Sequence, residues 1–121
     1  QRMLTLHDAE TGRVEWETLD DYEQRALWSP DSRYVALTLR GRYAVEIRIV
    51  DTDDFSERVV PLPAPPEGAR DTGSIGTENR ALNWVDTRTL RCRADFPVKE
   101  RHMGSVEYTY MVPQSGKGQF E

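Results

Sequence analysis

The sequence predicts an all-β protein of antiparallel strands, and three observations carry that expectation. Apolar residues recur with the period of two that half-buried strands require: Val35, Leu37 and Leu39 alternate with Tyr34, Ala36 and Thr38, and Val45, Ile47 and Ile49 with Glu46 and Arg48. Turn chemistry interrupts these runs, above all at Ser29-Pro30-Asp31-Ser32. There Pro30 presets φ for the first central position, and Asp31 and Ser32 can bond their own backbone. Finally, the Trp28-led stretch returns at Ala81-Leu82-Asn83-Trp84-Val85-Asp86-Thr87-Arg88-Thr89-Leu90, with Trp84 in place of Trp28 and Asp86 and Thr87 in the turn.

Taken in order, residues 3–19 read as a hairpin. Leu4, Leu6, Val14 and Trp16 face inward, and Asp8-Ala9-Glu10-Thr11-Gly12-Arg13 forms the turn. A polar connection follows, and then a four-stranded unit over residues 25–62. Its second reversal lies at Gly41 and Arg42 and its third at Asp51–Arg58, and Val59, Val60 and Leu62 form its last strand. Residues 61–79 change character: Pro61, Pro63, Pro65 and Pro66, then Gly68, Gly73 and Gly76, exclude a regular ladder and predict a long loop. A second unit spans 80–121, with Phe96–Gly104 as a connection, Val106, Tyr108 and Tyr110 on one strand face, and Gln119-Phe120-Glu121 starting another strand.

Composition narrows the function classes. A chain of 121 residues is sized for one domain with its own core, and a net charge of -5 disfavours a nucleic-acid ligand. The single Cys92 excludes an internal disulfide and a multi-thiolate metal site, and alternation groups it with Leu90, Ala94 and Phe96 as a core residue. No apolar run reaches the length of a membrane helix, and no signal peptide is visible. Because the sequence begins at Gln1, either a segment has been removed or it starts inside a longer protein; the compartment, bacterial cytoplasm or periplasm, stays open.

Trp28-Ser29-Pro30-Asp31-Ser32-Arg33-Tyr34-Val35-Ala36, followed by Ile47-Arg48-Ile49-Val50-Asp51-Thr52, resembles the β-propeller repeats of the TolB-like and WD-repeat type. Leu6-His7-Asp8-Ala9-Glu10-Thr11-Gly12 resembles the strand-to-turn segment of another copy. The resemblance implies four-stranded, blade-like antiparallel sheets, with the tryptophans and alternating aliphatics packed between them. About two and a half units are present where a closed ring needs about four. The expected architecture is therefore a small sandwich, or else a partial propeller.

No catalytic motif with a mechanism is found, and neither a cofactor nor a metal is expected. His7 and His102 are not paired by sequence with a nucleophile, and Asp51, Asp53 and Asp54 lack the glycine and distal glutamate of a helix–loop–helix calcium site. Arg40, Arg42, Arg48, Arg91 and Arg93 lie on outward strand faces, where Glu46, Asp95 and Glu107 can pair with them. The expected function is non-enzymatic protein binding, as an inhibitor or immunity-type protein that neutralises a toxin enzyme. Its contacts would come from Asp20, Asp21, Tyr22 and Glu23, with Arg70, Asp71 and Glu78 from the Pro/Gly loop. The alternative is a fragment of a TolB-like envelope propeller acting as a scaffold, and self-association is compatible with either.

Overall fold

A computed structural model of the chain describes residues 4–18, 21–22, 25–69, 75–99 and 102–114. The described residues hold ten strands and no helix: β1 (Leu4–His7), β2 (Val14–Thr18), β3 (Asp21–Tyr22), β4 (Leu27–Trp28), β5 (Tyr34–Arg40), β6 (Val45–Asp51), β7 (Glu57–Val59), β8 (Glu78–Trp84), β9 (Thr89–Lys99) and β10 (His102–Met111). The all-β expectation holds. β1 and β2 form a separate two-stranded sheet, and the other strands form one eight-stranded sheet in the order β10-β9-β8-β6-β5-β3, with β4 on β5 and β7 on β6.

That single sheet corrects the expectation of separate blades. The first unit and the second are joined edge to edge, because β8 runs parallel to β6 and pairs with it at Val45 and Glu78. The ladder does not close, since β10 stands at one end of the order and β3 at the other. Among the described residues this order argues against a closed propeller, and the reading of the chain as repeats of the TolB-like or WD type is not upheld. The second unit also departs in detail: Phe96 and Gly104, assigned to a connection, face each other in the long β9–β10 ladder.

β5 holds the arrangement together. Tyr34 through Leu39 are all buried, although alternation predicted one face only. Both faces are covered because two different elements reach this strand. On one side Val35, Leu37 and Leu39, with Val50, pack under Trp16, Leu4 and Leu6 of the β1–β2 hairpin. On the other, Tyr34 and Ala36 of β5 and Ile47 and Ile49 of β6 share a core with Ala81, Leu90 and Cys92 of β8 and β9. Thr38 is buried on that second side without violating polar satisfaction, because its Oγ1 accepts the Ala81 N–H at 3.1 Å.

The turns repeat a local device. In the β1–β2 turn the Asp8 N–H donates to Arg13 O and the Gly12 N–H to Asp8 O, both at 2.8 Å. In the β6–β7 turn the Asp51 N–H donates to Ser56 O at 2.9 Å and the Phe55 N–H to Asp51 O at 2.7 Å. The same position has positive φ in each, 74° at Gly12 and 58° at Phe55. Phe55 tolerates a backbone region that favours glycine because its ring packs into the Trp16 cluster.

The Pro-rich segment is partly tied down. Pro66 sits over Gly104 of β10: a Cβ there would meet Pro66 Cγ at 2.9 Å and Val98 Cγ1 at 2.8 Å, so only glycine admits the loop. Glu78, assigned to this loop, instead opens β8.

Two predictions follow from these contacts. Trp16→Ala empties the space between hairpin and sheet, and chemical denaturation should register a loss of about 3–5 kcal/mol. Burial is the reason to expect it, since Trp16 is 8% exposed. The turn carboxylates supply the second. Asp8 is held below its ordinary value of 3.8 by the Glu10 and Thr11 N–H groups, Asp31 by the Ser29 hydroxyl and the Arg33 N–H, and Asp86 by the Arg88 N–H and Thr89. Their folded values are depressed, so their stabilisation is complete above the unfolded value and disappears as pH falls below it. Thermal unfolding followed by circular dichroism should show a steep loss of stability below pH about 4, shallower in the Asp86→Asn variant.

Candidate functional site

The residues expected to bind a partner are dispersed. Asp20, Glu23, Arg70 and Asp71 lie outside the described residues. Asp21 and Tyr22 form β3, on the edge of β5 opposite Arg40 and Leu39. Glu78 lies on the outer face of β8 and is engaged by Arg80 at 3.0 Å. There it belongs to a lattice in which Arg93 bonds Asp95 at 3.2 Å and Arg91 bonds Glu107 at 2.7 Å. The expected cross-strand pairing is present for Arg91, which reaches Glu107 of β10, whereas Arg93 pairs with Asp95 of its own strand, and this face spends its charge on itself.

The groups with chemical potential are likewise occupied. Cys92 is buried, its thiol donates to Leu90 O at 3.6 Å, and burial pushes it up to about 11. Tyr108 is raised by burial as well, and its hydroxyl donates to Asn79 Oδ1 at 2.5 Å. Asn79 in turn donates to Val60 O at 3.4 Å, which completes a polar chain through the core. His7 meets the Thr5 hydroxyl at 2.8 Å and Gly12 O at 3.3 Å. Among the described residues no group of three or more His, Cys, Asp or Glu side chains is placed to hold a metal ion.

Asp51, Asp53 and Asp54 border a cavity of about 410 Å³ with Arg33, Tyr34 and Arg58. Arg33 supplies the cation within it, bonding Asp51 through Nε at 3.3 Å and Nη2 at 3.2 Å and reaching Asp53 at 3.3 Å. Asp54 accepts from the Ser56 N–H and hydroxyl. The calcium geometry discounted from the sequence is replaced here by an arginine clamp.

A concave surface with a half-exposed aromatic lies where β4 meets the end of β8. A groove of about 500 Å³ is lined by Arg25, Leu27, Trp28, Pro30, Asn83 and Trp84. Its floor is fixed: the Trp84 indole N–H donates to Leu27 O at 2.8 Å, and its ring stacks on Tyr34 with centroids 6.2 Å apart and planes at 21°. Trp28 forms the wall and is 49% exposed. Leu27 and Trp28 are adjacent in a strand and point to opposite faces, so when Leu27 joins the core Trp28 cannot. Equating Trp28 with Trp84 hid that parity, which is readable from the Leu27–Ala36 register set by the Pro30 turn. The buried tryptophan of this face of β5 is Trp16.

No protein-family model matches the chain, and neither a curated protein nor a solved structure matches it. The likeness of residues 25–60 to propeller repeats is thus unsupported by relatives as well as by sheet order.

The buried thiol yields a pH prediction. The folded value lies above that of an unfolded thiol, so the stabilisation is complete below about pH 9 and is lost as pH rises towards 11. Alkylation by iodoacetamide at pH 8 should proceed at least about tenfold more slowly in folded than in urea-unfolded protein.

Proposed function

We propose that this protein is a non-enzymatic protein-binding module that receives a partner segment in the groove between β4 and β8, anchored on Trp28. The observation that carries this reading is a half-exposed tryptophan held beside a second, immobilised one. Large aromatic side chains on a rigid floor lose little entropy on contact, which is why Trp, Tyr and Arg dominate binding energy at interfaces. Arg25 and Asn83 supply the polar rim. In this reading the β5–β6 and β8–β10 halves serve as the two layers of a small sandwich, and the groove lies at their open end.

The net charge of -5 favours a basic partner, and an inhibitor or immunity-type role against a toxin enzyme is the form of binding most consistent with it. The acidic stretch Asp20-Asp21-Tyr22-Glu23 precedes the groove in the chain and would add steering.

Capture from the native cell should recover a stoichiometric partner with the wild-type protein. Trp28→Ala should weaken that complex by about thirtyfold or more, with the melting curve preserved. Equal capture by the variant would refute the groove as the binding site.

A further inference from the structure

The far edge of the sheet offers a second surface, independent of the groove. Among the described residues β10 pairs with β9 alone, at the end of the strand order. Its register continues to Val112, whose N–H donates to Arg88 O, the residue directly opposite, at 2.8 Å. Hydrogen-bonded and non-hydrogen-bonded pairs alternate along an antiparallel ladder. The N–H and C=O groups of Gly104, Val106, Tyr108 and Tyr110 therefore turn towards β9, and those of Met103, Ser105, Glu107, Thr109 and Met111 turn outward.

Among the described residues this edge lacks the cations and prolines that blunt edges elsewhere. No lysine, arginine or proline stands between Met103 and Met111. Its one charge, Glu107, is held by Arg91 of its own sheet at 2.7 Å. The opposite edge, by contrast, is broken into the two-residue strands β3 and β4.

We propose that a second copy of this chain adds to this edge, β10 against β10 in antiparallel register about a two-fold axis at Tyr108, giving one sheet continuous across both subunits. The pairing is self-complementary, as a two-fold interface requires. Glu107 of each copy falls opposite Thr109 of the other, a carboxylate facing a hydroxyl donor, and Ser105 falls opposite Met111. On the other face Val106 meets Tyr110, a β-branched residue against an aromatic one, and Tyr108 meets its own copy. Moving the axis by one residue to Glu107 would oppose two carboxylates, so charge disfavours that register.

Sedimentation velocity from low to high micromolar concentration tests the proposal. The wild-type chain should move from monomer to dimer, and Trp28→Ala should do the same, because the groove is not involved. Thr109→Pro removes an outward N–H without disturbing the β9 ladder and should stay monomeric with an unchanged circular dichroism spectrum. Thr109→Lys places an ammonium opposite Glu107 of the other copy and Thr109→Glu a second carboxylate. The lysine variant should dimerise about tenfold or more tightly than the glutamate variant, and the gap should shrink in high salt. If Thr109→Pro does not fold, the lysine and glutamate pair decides. A wild-type chain that stays monomeric, a proline variant that dimerises normally, or equal dimers from the lysine and glutamate variants would overturn the proposal.

Discussion

The double burial of β5 is the constraint from which the rest of the structure follows. A strand exposed to water on one face needs a single covering layer, but Tyr34 through Leu39 present apolar or hydrogen-bonded groups to both sides. The hairpin led by Trp16 covers one face and the β8–β9 pair the other. Because Thr38 is buried too, the second layer must bring a donor, and the Ala81 N–H is that donor. One hydrogen bond between strands that are not neighbours in the ladder thus fixes how the two halves of the sheet meet.

Charge is spent differently on each outer surface. Arg48 lies beneath the hairpin and engages Glu46 at 2.7 Å and Glu57 at 3.6 Å, while the Trp16 indole donates to the same Glu57. Of these the Trp16–Glu57 bond ties the small sheet to the large one, joined by a bond from Arg48 to the Thr18 hydroxyl at 3.4 Å. On the outer face of β8–β10 the arginines and carboxylates pair both across strands, as Arg91 with Glu107 and Arg80 with Asp95, and along one strand, as Arg93 with Asp95, at a few tenths of a kcal/mol each. The Trp28 groove and the outward backbone groups of β10 are the two surfaces suited to other molecules.

Much of the local structure was legible in the sequence. Period-two alternation located β5 and β6, and Pro30 with the Asp and Ser side chains that bond their own backbone located the turns before β5 and after β6. The grouping of Cys92 with Leu90 and Ala94 also held, since parity along one strand decides which residues share a face. The repeat of a Trp-led hairpin was read too far. Trp84 is half-buried against Tyr34 and Trp28 stands in the groove wall, a difference set by which neighbour of each ring joins the core. Four of the residues expected at a binding surface lie outside the described residues, and Glu78 is a strand residue with an arginine partner.

Local chemistry by itself determined the strands, their turns and the inward side of most of them, because alternation and turn geometry act over a few neighbouring residues. Only the tertiary structure decided that β6 and β8 join in parallel, that β5 is covered twice, and that one tryptophan of three is left half in solvent. Those outcomes depend on contacts between residues far apart in the chain, for which a single sequence carries no local signal.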